Sequence, residues 1–128
     1  MARYTFPREE RLNDTRLISE LFETGKSFLI FPVKVVWMKS EQCGSPPLKV
    51  VFSVSKRLFK RAVKRNLLKR RMREAYRLNR VALTEEEGIS GLCVAFVYIA
   101  REELHGSVIS RSITNALSRL RQLAGQEH

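Results

Sequence analysis

The residues best placed to do chemistry in this sequence are cations. Between Lys56 and Arg80 the chain reads KRLFKRAVKRNLLKRRMREAYRLNR, which holds twelve of the twenty-four Lys and Arg residues against one acid, Glu74. Elsewhere twelve bases meet twelve acids, so the formal charge of +11 is concentrated in about a fifth of the chain. Charge focused in this way is a binding device for a polyanion rather than a general solubility feature. Lys56, Arg57, Lys60, Arg61, Lys64 and Arg65 lead into Asn66. From Asn66 onward a period of 3.6 residues separates two faces. Leu68, Met72, Ala75, Tyr76 and Asn79 fall on one, and Asn66, Lys69, Arg70, Arg73 and Arg77 on the other. The outer set recurs at i, i+3, i+4 and i+7, so its side chains stand about one turn (~5.4 Å) apart and can follow a row of phosphates. Arg predominates, and its guanidinium forks onto phosphate oxygens as an ammonium cannot. Asn66 is a mediocre helix former but both donates and accepts hydrogen bonds. Acids at the usual supporting positions are nearly absent, so the isolated stripe repels itself unless a partner relieves it.

Bond-breaking chemistry has no comparable signature. A two-metal nuclease needs clustered carboxylates, whereas this chain has a single Asp, Asp14, and its densest acids are Glu85, Glu86 and Glu87 in a loop-like segment. Acid–base cleavage needs paired imidazoles, and only His105 and the last residue, His128, are present. No P-loop, G-x-S-x-G, C-x-x-C or H-E-x-x-H motif occurs, and no residues are assigned to a protein-held metal. Cys43 and Cys93 are read as free thiols suited to a reducing cytoplasm. No apolar run reaches the ~20 residues of a membrane span. The charged N-terminus, MARYTFPREERLND, lacks an apolar signal core, which again points to the cytoplasm. The chain is therefore read as a binder; a reaction associated with it is carried out by another component.

At 128 residues and 44% hydrophobic composition, positions 1–128 are expected to form one small domain. Residues 1–13 are polar and expected to lie extended. Asp14 is placed to cap a helix whose stripe is Leu17, Ile18, Leu21 and Phe22, with Gly25 at its end. The segment 27–38 reads as one strand with Pro32 at an edge or bulge, and 40–47 as the turn after it. Residues 49–55 read as a second strand leading into the basic helix. Residues 84–91 end that helix, and 92–100, nearly all apolar, read as a central strand buried on both faces. A last helix places Val108, Ile109, Ile113, Ala116, Leu117, Leu120 and Leu123 on one stripe. The order α-β-β-α-β-α predicts an α+β sandwich, with a strand–helix–strand crossover that is right-handed by default.

SVSKR at 53–57 followed by AVKRNLLKRRMREAYR at 62–77 resembles the signature of the bacterial ribonuclease P protein family, roughly A-V-x-R-N-R-x-K-R-x-x-R-E. The similarity extends to RLISELFETGKSF at 16–28 and to the apolar strand at 92–100. The resemblance implies an α-β sandwich like a ribosomal-protein domain, with a left-handed crossover around the basic helix. It implies a cytoplasmic protein, monomeric when free, that binds the catalytic RNA subunit of ribonuclease P and precursor tRNA. The holoenzyme removes the 5′ leader with magnesium held mainly by RNA. By the same resemblance Arg65, Asn66, Lys69, Arg70 and Arg73 take the positions that contact the RNA subunit. A cleft between the first helix and the sheet takes the single-stranded leader. There Phe22 matches a family aromatic, Ile18 stands where another aromatic is common, and Val36 or Trp37 occupies the strand position. Leu67 replaces the second Arg of R-N-R.

The alternative is a ribosome-associated or general RNA-binding module without a catalytic role. A DNA reader is weaker, because no second helix of a turn motif directly precedes the basic one. All RNA readings share one expectation. Contact with about six phosphates gives a slope of roughly −4 to −5 in log affinity against log salt; a nearly flat line in a binding titration against structured RNA would exclude them.

Overall fold

The computed structural model describes residues 11–39, 48–84 and 91–126. The first helix, α1 (Thr15–Thr24), starts where Asp14 caps it: the carboxylate accepts from the backbone N–H of Arg16 at 3.0 Å and of Leu17 at 3.3 Å. It stops at Gly25, whose N–H donates to the Leu21 carbonyl at 2.8 Å while the backbone is already extended. The glycine is demanded by a close approach. A Cβ there would lie 2.4 Å from the Leu21 carbonyl oxygen and 3.0 Å from both the Trp37 carbonyl oxygen and Val36 Cγ1.

The run 27–38 is two strands, not one. β1 (Lys26–Ile30) and β2 (Val33–Lys39) form an antiparallel hairpin in which Ile30 pairs with Val33, leaving Phe31 and Pro32 in the turn with a cis bond between them. Pro32 thus occupies a turn rather than an edge or bulge, as fits a residue that has no N–H to give a ladder. The remaining elements are β3 (Leu48–Val54), α2 (Ala62–Thr84), β4 (Leu92–Tyr98) and α3 (Gly106–Gln126). The class is the expected α+β sandwich, with the order α-β-β-β-α-β-α once the hairpin is divided.

The sheet runs β1-β2-β4-β3, antiparallel except for the parallel pair β3–β4, which α2 connects. β4 lies between two neighbours and is buried on both faces, as its unbroken apolar sequence requires. Strand alternation divides the core in two. Val35, Trp37, Val50, Phe52, Val94 and Phe96 lie under α2 and α3, whereas Val36, Met38, Cys93 and Ala95 meet Leu17 and Leu21 of α1. On α3, Ile109, Ile113, Ala116, Leu117 and Leu120 are buried as expected. Val108, about 100° from Ile109 around the helix and so at the margin of the stripe, is exposed. Ahead of α1, Leu12 is buried and donates its N–H to the Val50 carbonyl at 2.8 Å, and Arg11 bridges Val50 in parallel, so an extended stub lines the outer edge of β3.

Cys93 is buried in β4 and disulfide-bonded, which corrects the reading of free thiols and removes the support it lent to a reducing compartment. A buried strand position fixes how a cysteine packs but not its oxidation state. Cys43, the turn at 40–47, Glu85, Glu86, Glu87 and His128 lie outside the described residues.

Replacing Gly25 by Ala forces α1 and β2 apart and should cost about 1–3 kcal/mol. Urea unfolding checks this; an unchanged midpoint would show that the approach at Gly25 yields freely.

Candidate nucleic-acid interface

The rotation of α2 about its own axis decides which cations reach solvent. Leu68, Met72, Ala75 and Tyr76 are all buried. The Tyr76 ring meets Phe52 edge-on at 5.9 Å and Phe96 at 6.1 Å, and Phe52 and Phe96 stack at 5.6 Å. Aromatic contacts of this kind add about 0.5–1.5 kcal/mol each beyond the area they bury. Asn79, half-buried, donates to the Ala75 carbonyl at 2.7 Å. With this face seated on β3 and β4, the stripe opposite must point outward. Asn66, Arg70 and Arg73 are exposed, and Lys69 and Arg77 partly so.

Asn66, Lys69, Arg70 and Arg73 line one hollow of about 590 Å³ together with Val63 and Leu67. A second, of about 310 Å³, is lined by Arg11, Leu12, Val50, Val51, Phe52, Lys69 and Arg73. Lys69 and Arg73 belong to both, so the outer face of α2 continues into a trough against β3. Neither lining contains an acid among the described residues. Such a surface can hold successive phosphates by forked and point-charge hydrogen bonds. Arg11 was not singled out by sequence reasoning. It lies in a short polar segment without periodicity, and only its parallel bridge to Val50 brings it here.

The other cations have different surroundings. Lys56, Arg57, Lys60 and Arg61 are exposed on the turn between β3 and α2. The Ser55 hydroxyl accepts from Arg57 N–H at 3.0 Å, and the Ser55 carbonyl from Phe59 N–H at 3.1 Å. These four precede the N-terminal end of α2, whose first turn carries no acid and whose unpaired N–H groups add partial positive charge. Arg65 turns back onto this turn. Its Nη1 donates to the Phe59 and Lys60 carbonyls, both at 2.8 Å, so it fastens the approach to the helix. Lys64 and Arg71 both pair with Glu103, and Arg71 also donates to the Leu104 carbonyl at 2.9 Å. The acids missing from α2's own sequence are thus partly replaced from across the fold. Arg77 pairs with Glu74 three residues earlier, which holds the Glu74 carboxyl below its ordinary range and the Arg77 guanidinium above its own.

Of the expected leader-cleft residues, Val36 is buried against Leu17 and Leu21, Ile18 is half-buried on the same cluster, and Phe22, one turn further along α1 from Ile18, is 48% exposed. Trp37 does not belong with them. Adjacent strand residues face opposite ways, so it lies in the core under α2 and α3, with Lys26 Nζ 5.6 Å from its ring centre. Val51 and Val97, partly buried on the α1 side, adjoin the same cluster. His105 Nδ1 accepts from the Ser107 N–H at 3.1 Å and so serves the start of α3. Among the described residues no three His, Cys, Asp or Glu side chains come together in a group that could hold a metal ion.

The family model described as Ribonuclease P matches residues 6–122. The chain belongs to the ribonuclease P protein family. The role that goes with membership is that of the protein subunit, accessory to the RNA subunit of the holoenzyme. The chain is 32% identical over 121 residues to the ribonuclease P protein component of Porphyromonas gingivalis, covering 93% of this chain and 88% of that protein. It is 36% identical over 106 residues to that of Chlorobaculum tepidum, covering 76% and 69%. Its fold is similar to the RNase P protein from Thermotoga maritima, with a TM-score of 0.67 at 23% identity over 86% of this chain and 96% of that one. For the Staphylococcus aureus RNase P protein the TM-score is 0.58 at 19% identity, over 90% and 94%.

The two kinds of Arg in α2 should respond differently to truncation. Arg65→Ala removes two carbonyl contacts and should lower stability by about 1 kcal/mol, discounted for partial exposure, whereas Arg70→Ala should stay within about 0.5 kcal/mol of the parent. Thermal melts of both variants check this; equal losses would mean that Arg70 has a structural role as well.

Proposed function

We propose that the outer face of α2 binds the RNA subunit of ribonuclease P and that the α1 side of the sheet binds the single-stranded 5′ leader of precursor tRNA. The observation that carries the first half is the acid-free hollow lined by Asn66, Lys69, Arg70 and Arg73, continued by the exposed cations Lys56, Arg57, Lys60 and Arg61 ahead of the helix. Several phosphates can be neutralised there without repositioning the core. The rigid seat of α2 means that little ordering free energy is spent on binding. Leu67, where the family pattern has Arg, gives this hollow an apolar patch beside Asn66 and one fewer guanidinium.

The second half is supported by the half-buried Ile18, Val51 and Val97 on one face and by the exposed Phe22 ring, one turn along α1 from Ile18. Single strands are held by cationic grooves with ring or apolar platforms, which tolerate sequence because every base has a π-face. With Ile18 and Val36 in place of further rings, Phe22 is the one aromatic expected to stack here. The chain's part in the reaction is to position: it screens phosphate repulsion between RNA subunit and substrate, and it orients the leader as it leaves the cleavage point. Magnesium, held mainly by RNA in this reading, supplies the chemistry of phosphodiester hydrolysis. The setting is the cytoplasm, where precursor tRNA is made.

Reconstitution with the RNA subunit and precursor tRNA at low magnesium tests the reading. Leader release should require the protein, and Asn66→Ala or Arg70→Ala should weaken assembly about tenfold each, in keeping with ~1–3 kcal/mol for a desolvated polar contact. A protein that binds the RNA but leaves leader release unchanged would favour the general RNA-binding alternative.

A further inference from the structure

We propose that Glu103 is a specificity-determining residue that withholds Lys64 and Arg71 from RNA and so confines the phosphate footprint of α2 to the flank carrying Asn66, Lys69, Arg70 and Arg73. The inference rests on the RNA-binding reading of that flank. Lys64 and Arg71 stand seven residues, or two turns, apart on one side of the helix. Glu103 lies just beyond β4 and offers one carboxylate oxygen to Lys64 Nζ and the other to Arg71 Nη1 at 3.3 Å. Two oxygens on one anionic centre meet two cations along the helix, as two oxygens of a phosphate do.

The segment that carries this acid is held in place on both sides. The Tyr98 hydroxyl donates to the Glu102 carbonyl at 2.6 Å and accepts from the Leu104 N–H at 3.0 Å, and Arg71 donates to the Leu104 carbonyl. The hydrogen bond from Lys64, followed by the nearby cationic charge, keeps the Glu103 carboxyl below the ordinary carboxylate range, so it is ionised at neutral pH. The cluster is not sealed from solvent: Lys64 is 50% exposed, and Arg71 and Glu103 are each 29% exposed. Phosphates could reach both cations if the acid were neutral.

Phosphate attraction is blind to sequence, and a helix with cations on several flanks accepts RNA in several rotations. Neutralising one flank from within removes contacts that any RNA could use, while leaving those matched to a partner that fits the other flank. This lowers affinity for wrong partners more than for the right one.

The test compares the full chain with Glu103→Gln, Lys64→Gln and the double variant, titrating salt against an unrelated RNA hairpin and against the ribonuclease P RNA. Gln keeps the size of the side chain and removes its charge. Glu103→Gln should bind the unrelated hairpin with a salt slope steeper by about one, or about eightfold tighter at 0.1 M salt for one added phosphate contact. The gain on the ribonuclease P RNA should be smaller. The double variant, which keeps Arg71 with its bond to the Leu104 carbonyl, should lose most of the gain on the hairpin, and Lys64→Gln alone should leave the parental slope unchanged. A folded Glu103→Gln that gains nothing on the hairpin overturns the proposal. Should that variant not fold, Lys64→Gln decides: an unchanged slope sustains the proposal, and one shallower by about one overturns it. A parental slope near zero on both RNAs would instead overturn the RNA-binding reading on which the proposal stands.

Discussion

The seat of α2 on β3 and β4 is the constraint on which the rest of this structure depends. Tyr76, Phe52 and Phe96 lock together, with Leu68 and Met72 in the same layer, and fix how the helix is rotated. A helix turned by one residue's worth of rotation, about 100°, would carry guanidinium groups of the outer stripe away from water, at a cost that no apolar packing could offset. Core packing and the outward display of cations are therefore one event. The parallel pairing of β3 with β4 supports it, since α2 is the connection that this pairing requires.

Charge along α2 is sorted by what lies beside it. Toward β3 the flank meets apolar residues and Arg11, and Lys69 and Arg73 stand open to an outside anion. Toward the segment after β4 the flank meets Glu103 and the Leu104 carbonyl, and its cations are engaged within the fold. Ahead of the helix, Arg65 serves the backbone of its own approach. The described cations of this stretch thus divide into a working surface and a structural set. An accessory subunit of ribonuclease P needs both, since a cationic helix must stay folded before its RNA is present.

Several features were legible in the sequence because their causes are local. Asp14 caps a helix through N–H groups two and three residues away, and Gly25 closes it. The 3.6 period correctly assigned Leu68, Met72, Ala75 and Tyr76 to the core and Asn66, Arg70 and Arg73 to solvent. The hairpin is not legible because the branched and aromatic run continues through Phe31 and Pro32, and composition cannot tell one long strand from two short ones. Between Val36 and Trp37 the sequence offers no choice of face, and the packing of Val36 on Leu17 and Leu21 makes it. For Cys93 the burial was legible, and the bond was not.

By itself the sequence determined the concentration of charge, the amphipathic faces, the α+β class and the family, since each follows from residue type and short-range spacing. Only tertiary structure decided which cations are engaged: Lys64 finds Glu103 across 39 residues, and Arg71 finds the Leu104 carbonyl across 33. It alone laid Arg11 along β3 and joined the two hollows through Lys69 and Arg73. The physical reason is range. Periodicity and capping act over one or two turns, whereas ion pairs and strand edges join residues that only the folded chain makes neighbours.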